Sequence, residues 1–454
     1  MTRVAVIDIG KTNAKLALVD GTDLSEIAVL TRPNTVLPGP PWPHYDVEGH
    51  WEFILNGLAH LHKKYRIDAI SVTTHGACVA LLDEGGALAA PILDYEHEGP
   101  DETADAYSAI RPAFADTGSP RLPGGLNVGA QIHWQFAVDP ALRARTAIVL
   151  TYPQYWGHRL TGVAASDVCS LGCHTDLWEP VSGRFSSLVE VLGLTGRMAP
   201  PLPPAASLGA IRPDVARRTG LPESIPVTTG IHDSNASLLP HLLTRDAPFS
   251  VVSTGTWVIA MSVGGAKVAL DPTRDTLINV DAHGKPVRSA RFMGGREFDL
   301  ATGGTAPDPD ESEIASVLDR KVLLTPSLAH GAGPFQGRLA RWVGEEPPIG
   351  TPERSAATAF YLALVTAECL TLIGHRGAVL IEGPFGRNGA YRRMLAAATG
   401  CEVIATGGAT GTSQGAALLF RGVTPPKPVA GNPLDDLPGS ARAYIAAWRA
   451  EVGK

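Results

Sequence analysis

The sequence has few cysteines, no long basic run and no long apolar segment. Five cysteines in 454 residues are an odd and sparse set, typical of a reducing compartment. The net charge of −7 argues against a nucleic-acid or anionic-membrane surface. No apolar run approaches the roughly 20 residues that span a bilayer, and the richest one, residues 360–373, is interrupted by Thr366 and Glu368. The chain starts directly with a strand pattern and shows no signal segment. We therefore expect a cytoplasmic protein.

Apolar residues make up 44% of the chain and charged residues 18%, which is typical of a well-packed globular protein. A chain of 454 residues exceeds what one hydrophobic core serves, so two domains are expected. Short β-rich runs alternate with helical patterns, which predicts an α/β fold.

Three strand pairs are predicted. VAVIDIG and AKLALVD form the first pair, IDAISVTTHG and ACVALLDEGG the second, with a turn at residues 84–86. FSVVSTGTWVIAMSV repeats the arrangement of the first pair. Two similar hairpins, at residue 4 and near residue 249, predict two related domains, 1–242 and 243–454. Residues 353–375 predict a buried helix and residues 440–452 a terminal amphipathic helix.

The letters GKT at residues 10–12 do not form the phosphate loop of a P-loop ATPase. That loop needs a glycine five positions before Gly10, where this chain has Ala5. It also runs into a helix, whereas the segment AKLALVD that follows alternates like a strand. Both observations exclude the P-loop.

The turn of the first hairpin can hold phosphates in another way. Backbone N–H groups and the side chains of Thr12 and Asn13 surround phosphate oxygens, Gly10 permits close approach and Lys15 adds a cation. Asp8, at the end of the strand, would need a Mg²⁺ ion between it and the phosphates. The alternative is an ordinary edge hairpin with a solvated turn.

A second turn has the same chemistry. Residues 253–256, Ser-Thr-Gly-Thr, close the later hairpin, and two such turns facing each other would hold a triphosphate between two domains. A third stretch, LIEGPFGRNGAYRRMLAAATG, follows a strand and leads into a helix that starts near Asn388. Its backbone could contact a purine, and it supplies a helix N-terminus. The alternative is a plain strand-to-helix loop, which would show the same sequence pattern.

In order and spacing, these three stretches resemble the two phosphate motifs and the adenosine motif of the FGGY carbohydrate kinases. The resemblance covers nearly the whole chain. It implies two actin-like (ribonuclease H-like, ASKHA) domains with ATP in the cleft between them, Mg²⁺ as cofactor, and sugar bound mainly by the N-terminal domain. The residues then expected to bind ATP are Gly10, Lys11, Thr12, Asn13, Lys15, Thr254, Gly255, Thr256, Gly383 and Asn388. Asp8 and Asp233 are expected to bind the metal.

Asp233 is the expected catalytic base. In VTTGIHDSNASLL it follows a predicted strand and precedes a helix, and the family carries its base here in a Gly-x-x-Asp pattern that Gly230 and Asp233 match. A carboxylate at this point takes the proton of the sugar hydroxyl. The alternative role for Asp233 is a helix N-cap.

The details are closest to the rhamnulokinase and L-fuculokinase branch. His232-Asp233-Ser234 and residues 253–257 resemble motifs of rhamnulokinases, but Gly295 stands where that branch has a sugar-contacting Asn. The sugar-side signatures Thr74-His75-Gly76 and Asp94-Tyr95-Glu96 also differ from the family pattern. The residues expected to bind substrate are Thr74, His75, Gly76, Tyr95, Glu96, His232 and Asp233.

The resemblance therefore predicts an ATP-dependent sugar kinase, with a deoxy-ketose such as L-rhamnulose or L-fuculose as the first choice. Ribulose, xylulose and erythritol are the alternatives within the enzyme class. A sugar-sensing nucleotide switch and a pseudokinase are the alternatives outside it. A repressor would need a DNA-binding segment and a chaperone a further domain, and we expect neither. We expect a small-molecule sugar as partner, no nucleic acid and no membrane, and leave open whether the chain forms a homodimer.

Overall fold

The computed structural model describes residues 2–406, 411–428 and 434–453. The chain divides into two compact units. Unit 1 consists of Met1–Arg245, Ile278–Pro286 and Thr410–Lys427, and unit 2 of Asp246–Leu277, Val287–Ala409 and Pro428–Lys454. Each unit has its own central sheet with helices packed against it, so the predicted α/β class is confirmed.

Most strands before residue 233 belong to one sheet of unit 1 or to small two-stranded sheets around it. In chain order they are β1 (Arg3–Ile9), β2 (Asn13–Asp20), β3 (Glu26–Pro33), β4 (Val36–Leu37), β5 (His44–Tyr45), β6 (Ala69–Thr74), β7 (Val79–Leu82), β8 (Ile148–Thr151), β9 (Ser166–Asp167), β10 (Trp178–Glu179), β11 (Arg184–Phe185), β12 (Pro201–Leu202), β13 (Ser207–Ala210), β14 (Pro226–Thr228) and β15 (Ile231–His232).

Ten α-helices accompany these strands. They are α1 (Val47–Lys64), α2 (Ala104–Ile110), α3 (Phe114–Thr117), α4 (Val128–Val138), α5 (Leu142–Arg145), α6 (Tyr152–Thr161), α7 (Val168–Leu171), α8 (Ser187–Val191), α9 (Pro213–Thr219) and α10 (Asp233–Thr244).

The remaining strands are β16 (Phe249–Thr254), β17 (Val258–Val263), β18 (Thr276–Val280), β19 (Pro286–Phe292), β20 (Leu323–Leu324), β21 (Trp342–Val343), β22 (Ala378–Glu382) and β23 (Val403–Ala405). The remaining helices are α11 (Gly294–Thr302), α12 (Glu311–Arg320), α13 (Pro352–Leu372), α14 (Gly389–Thr399), α15 (Thr412–Ala417) and α16 (Ala441–Val452). Of these helices, α15 belongs to unit 1.

The two central sheets share one arrangement. In unit 1 the order is β13-β14-β6-β1-β2-β3, with β15 also pairing β6. In unit 2 the strands β17, β16, β22 and β23 are neighbours in that order. Each sheet contains an antiparallel hairpin, β1-β2 or β16-β17, whose first strand pairs in parallel with a later strand, β6 or β22. The predicted repetition of the hairpin is therefore confirmed.

The predicted helix at residues 353–375 is confirmed as α13, which begins at Pro352 and ends at Leu372. Among the described residues, it is the one helix that is long and apolar enough to cross a membrane. However, 83% of its most apolar 18-residue stretch is buried inside the protein. A core helix of a soluble protein passes the same test, so this is weak evidence for a span. The predicted terminal helix is confirmed as α16.

The prediction that the strands of the second pair lie next to each other was wrong. Both strands exist as β6 and β7, and residues 84–86 form the expected turn. However, β7 pairs antiparallel with β8, whereas β6 joins the central sheet between β1 and β14. Every residue of β6 and of β7 is buried, so neither strand shows an exposed face that would indicate which partner it takes.

Candidate active site

Three parallel strands of unit 1 end at the same edge of the central sheet. In the register of β1 and β6, Asp8 lies beside Thr73, and in that of β6 and β15, Thr74 lies beside His232. Polar residues at or just after the carboxyl ends of such strands meet at one edge, where α/β proteins bind ligands. This edge brings together Asp8, His75 and Asp233.

Asp233 is the first residue of α10 and carries a side chain that is 28% exposed. The N-cap of α10 is His232, so the alternative role of Asp233 as N-cap is not what the structure shows. Burial raises the pKa of the Asp233 carboxyl, and the charge of Asp8 raises it further, against the opposing effects of His75 and the hydrogen bonds from Ser234. A carboxylate with a raised pKa is a stronger proton acceptor, as a general base requires.

His232 is buried and contacts the carboxylate of Asp233. Its Nε2 lies 3.2 Å from Asp233 Oδ1 and 3.6 Å from Cys173 Sγ. Burial lowers the pKa of His232 to about 4, so the ring is neutral at neutral pH. Gly76 permits this position, because a Cβ on Gly76 would lie 2.7 Å from His232 Nε2.

His75 offers a buried hydrogen-bond acceptor. Its Nδ1 lies 2.9 Å from the carbonyl oxygen of Gly76, so Nδ1 carries the proton and donates. Burial lowers the pKa of His75, which leaves Nε2 unprotonated, and among the described residues this buried nitrogen has no hydrogen-bond partner. The ring packs against Tyr45, Tyr95 and Tyr152, with centroids 5.2 to 5.3 Å away. An O–H group is the partner that this nitrogen lacks.

Asp8 is held by hydroxyl groups from the start of α15. Its Oδ2 accepts hydrogen bonds from Thr412 Oγ1 and, at 3.0 Å, from Ser413 Oγ. Lys15, the residue opposite Asp8 in the β1-β2 hairpin, places Nζ 3.4 Å from the same oxygen. These contacts fix the direction of the Asp8 carboxylate.

The pair Asp8 and Asp233 fits a magnesium ion. The charge of Asp8 raises the pKa of Asp233, and a divalent cation between the two carboxylates would relieve that repulsion. Among the described residues no group of three or more His, Cys, Asp or Glu side chains forms a metal cage. Mg²⁺ commonly binds through one or two carboxylates plus substrate phosphates, so two carboxylates suffice.

The turn of the first hairpin is closed by the N–H of Gly10, which donates to the carbonyl oxygen of Asn13 over 2.9 Å. Thr12 and Asn13 are exposed at its tip, as phosphate-binding side chains would need to be. The side chain of Lys11 leaves this tip and forms ion pairs with Asp94 and Glu96.

Asp94, Tyr95 and Glu96 lie in one segment whose Tyr95 ring packs against the His75 ring. Asp94 is buried and accepts a hydrogen bond of 3.0 Å from the hydroxyl of Tyr45, whereas Glu96 is exposed. An open pocket of about 710 Å³ adjoins them and is strongly acidic. Its lining residues are Pro43, Asp94, Glu96, His97, Glu98, Gly99, Asp101 and Glu102.

In unit 2 the predicted second phosphate turn contacts the predicted adenosine loop. The hydroxyl of Thr254 donates to the carbonyl oxygen of Glu382 and accepts from the N–H of Phe385 at 3.2 Å. Gly383 lies between these partners with a φ of 81°. Gly255 and Thr256 are exposed at the tip of the hairpin.

Gly295 packs against the same turn, because a Cβ there would lie 2.2 Å from the carbonyl oxygen of Gly255. Asn388 caps α14, and its Oδ1 accepts a hydrogen bond of 2.9 Å from the N–H of Tyr391. The helix start predicted near Asn388 is therefore confirmed. Its contact with ATP stays a prediction, as do the other predicted contacts with ATP, sugar and metal.

Five residues of this region were missed from the sequence. Asp94 was quoted with Tyr95 and Glu96 but not assigned to the site, although its place in the same acidic turn was a usable signal. Thr412 and Ser413 precede a Gly-Ala-Ala segment, but nothing in the sequence links them to Asp8, about 400 residues earlier. For Asn34, which donates to the carbonyl oxygen of Gly10, and for Tyr45, no motif or spacing was used to assign a role in the site.

Family models match both halves of the chain. The model of the N-terminal domain of the FGGY family of carbohydrate kinases matches residues 4–240, and that of the C-terminal domain matches residues 246–428. The resemblance drawn from the motifs is therefore confirmed. Members of this family are sugar phosphotransferases.

Individual relatives agree with the family models. The crystal structure of a carbohydrate kinase from Novosphingobium aromaticivorans is 37% identical, covers 99% of this chain and 100% of its own, and superposes with a TM-score of 0.90. An L-fuculokinase from Salmonella typhi is 25% identical over 58% of this chain, and a rhamnulokinase from Bacillus subtilis is 25% identical over 47%. The match spans 57% of the length of that L-fuculokinase and 44% of that rhamnulokinase. The predicted two-domain actin-like fold is confirmed.

Proposed function

We propose that this chain, which belongs to the FGGY family of carbohydrate kinases, transfers the γ-phosphoryl group of ATP to a hydroxyl group of a sugar. The observation that carries the proposal is the environment of Asp233. Its carboxylate has a raised pKa, lies 3.2 Å from His232 Nε2, and lies at the edge of the sheet where Asp8 and His75 also lie.

In this proposal Asp233 accepts the proton of the attacking hydroxyl. The neutral ring of His232 lies against Asp233, with Nε2 3.2 Å from Oδ1, and helps to position the carboxylate. His75 accepts a hydrogen bond from another hydroxyl of the sugar through its unpaired Nε2. Thr74, Gly76, Tyr95 and Glu96 complete the contacts with the sugar.

In this proposal the turns of the first hairpin and of the second hairpin bind the phosphates of ATP. Thr12, Asn13 and Lys15 donate to phosphate oxygens in unit 1, and residues 254–256 do so in unit 2. Asp8 and Asp233 hold Mg²⁺, which when bound neutralises charge on the phosphates. Gly383 and Asn388 contribute to the adenosine site.

For the sugar we propose a deoxy-ketose such as L-rhamnulose or L-fuculose. Support comes from the His-Asp-Ser and Ser-Thr-Gly-Thr-Trp motifs and from the two relatives called L-fuculokinase and rhamnulokinase. Kinases for ribulose, xylulose or erythritol are the alternatives, because Gly295 and the Thr74-His75-Gly76 turn differ from the branch pattern.

The test is a screen of the purified full chain with ATP and Mg²⁺ over L-rhamnulose, L-fuculose, L- and D-ribulose, xylulose and erythritol. ADP release is followed by a coupled assay, and the phosphorylated product by ³¹P NMR. We expect sugar-dependent ADP release and a sugar phosphate with at least one of them. Binding of ATP and sugar without any phosphorylated product would contradict the proposal and would favour a sugar-sensing switch.

A further inference from the structure

The side chain of Lys11 points away from the tip of the phosphate-binding turn. Its Nζ forms an ion pair with Asp94 and lies 3.1 Å from Glu96 Oε2. The ammonium group also lies over two rings, 4.7 Å from the centroid of Tyr95 and 5.4 Å from that of Tyr45. Two carboxylates and two aromatic faces thus surround one cation.

These partners are the wall against which His75 packs. The Tyr45 and Tyr95 rings are both in contact with the His75 ring, and Asp94 accepts hydrogen bonds from the Tyr45 hydroxyl at 3.0 Å and from the N–H of Glu96 at 3.2 Å. Lys11 is therefore one layer of side chains away from the unpaired nitrogen that the proposed sugar contacts.

The backbone on both sides of Lys11 is fixed. Asn34 donates through its side chain to the carbonyl oxygen of Gly10 over 2.8 Å, and through its N–H to that of Thr12 over 2.9 Å. The Cα of Lys11 is therefore held in place, while the ion pairs and the two rings around Nζ hold the end of its side chain. The contacts of Lys11 are thus a built feature of unit 1.

We propose that Lys11 is a specificity-determining residue for the sugar and that its ammonium group does not contact ATP. The proposal rests on the proposed kinase function. Lys11 holds the Asp94-Tyr95-Glu96 segment against the first hairpin, which sets the positions of the Tyr95 ring and the Glu96 carboxylate. The ligand suited to this arrangement is a neutral polyhydroxylated chain, whose hydroxyl groups donate to Glu96 and accept from Lys11.

Electrostatics gives the direction of the effect. With Lys11 removed, Asp94 and Glu96 would face each other without the cation between them, and their repulsion would displace the segment that carries Tyr95. Removing Lys11 would therefore weaken the binding of the sugar. The exposed Thr12 and Asn13 side chains at the tip would stay in place, because Asn34 holds the turn independently of the Lys11 side chain.

The experiment compares Lys11→Met and Lys11→Arg with Lys15→Met. Lys15 is the matched control, because it is the other lysine of the same hairpin and it contacts Asp8 and Glu26. Two quantities are measured in the full chain: the Kd for a fluorescent ADP analogue with Mg²⁺, and the KM for the best sugar of the panel. Circular dichroism checks that each variant is folded.

We expect Lys11→Met to raise the KM for sugar about tenfold or more, which corresponds to the loss of one charge-assisted contact. The Kd for the ADP analogue should stay within about twofold. Lys11→Arg should recover most of the sugar KM, and Lys15→Met should weaken nucleotide binding instead. An ADP analogue Kd that rises in Lys11→Met as it does in Lys15→Met, with the sugar KM unchanged, would overturn the inference.

Failure of the kinase proposal gives a different result. A wild-type protein that binds the ADP analogue and phosphorylates no sugar refutes the kinase function. The Kd measurement with the ADP analogue then still tests the proposal for Lys11. An unchanged Kd in Lys11→Met supports the proposal that the Lys11 ammonium group does not contact ATP, and a raised Kd refutes it.

Discussion

The side-chain amide of Asn34 donates a hydrogen bond of 2.8 Å to the carbonyl oxygen of Gly10. A chain of buried contacts fixes the direction of that amide. Arg32 can only donate, so Nδ1 of His50, 3.0 Å from the guanidinium, accepts. His50 Nε2 therefore carries the proton and donates to Asn34 Oδ1 over 2.7 Å, which turns the amide N–H₂ toward Gly10.

The first prediction follows from this relationship. Asn34→Asp keeps the acceptor for His50 and loses the donor to Gly10, so the phosphate-binding turn is held less firmly. We expect the kcat/KM for ATP to fall about tenfold, which corresponds to one hydrogen bond. Steady-state kinetics measures it, and urea unfolding shows whether global stability has changed. An unaltered kcat/KM would mean that the turn keeps its geometry without Asn34.

The second prediction concerns stability at low pH. Burial lowers the pKa of His50 and of His232 to about 4, from about 6.5 in an unfolded chain. Between these values the two histidines bind more protons in the unfolded chain, so their contribution to the free energy of unfolding falls as the pH falls from 6.5 toward 4. Urea unfolding at several pH values measures the slope.

The matched variant is His50→Gln, which cannot titrate in this range. We expect it to be less stable at neutral pH, because it disturbs the contact with Asn34, and to show a shallower loss of stability below pH 6.5 than the wild type. Equal slopes would show that His50 does not contribute to the pH dependence.

The third prediction separates function from stability at His75. His75→Phe removes the unpaired Nε2 and keeps a ring among Tyr45, Tyr95 and Tyr152. The variant loses both this unpaired atom, which costs about 1–3 kcal/mol, and the Nδ1 hydrogen bond to Gly76, which contributes about 1 kcal/mol, so its Tm should change little. The KM for sugar should rise about tenfold because the acceptor for a hydroxyl is lost. A lower Tm together with an unchanged sugar KM would give His75 a purely structural role.

The fourth prediction tests the tie between the hairpin and the adenosine loop in unit 2. A Cβ on Gly383 would lie 2.0 Å from the carbonyl oxygen of Thr254, and its φ of 81° is strained for other residues. Gly383→Ala should therefore destabilise the protein by at least about 1–3 kcal/mol. The control is Gly389→Ala, where a Cβ would meet nothing within 4 Å. Equal free energies of unfolding for the two variants would contradict the close approach seen at Gly383.

Local patterns predicted those parts of the fold and site that depend on neighbouring residues. The two hairpins, helix α13 and the helix start near Asn388 follow from strand alternation, from apolar length and from the order of a strand, a glycine-rich stretch and a helix. The partner of β7 did not follow, because a fully buried strand presents no face that distinguishes one neighbour from another.

The contacts that connect distant segments were also beyond the sequence. Thr412 and Ser413 reach Asp8 only because α15 packs on unit 1, and no periodicity encodes that packing. Lys11 shows the same limit in another form. Its place in a phosphate-binding turn predicted an ATP contact, whereas its side chain lies on Asp94 and Glu96, 83 and 85 positions later in the chain.

The most direct test of the kinase proposal is the rate of sugar phosphorylation by Asp233→Asn, measured by ³¹P NMR and a coupled ADP assay on the best sugar. Asn keeps the size of the side chain and cannot accept the hydroxyl proton, so we expect kcat to fall by about 10²–10⁴. Since the ionised Asp233 carboxylate has a raised pKa, its removal should leave the protein as stable or more stable at pH 8. A folded Asp233→Asn protein that phosphorylates the sugar at the wild-type rate would contradict the account.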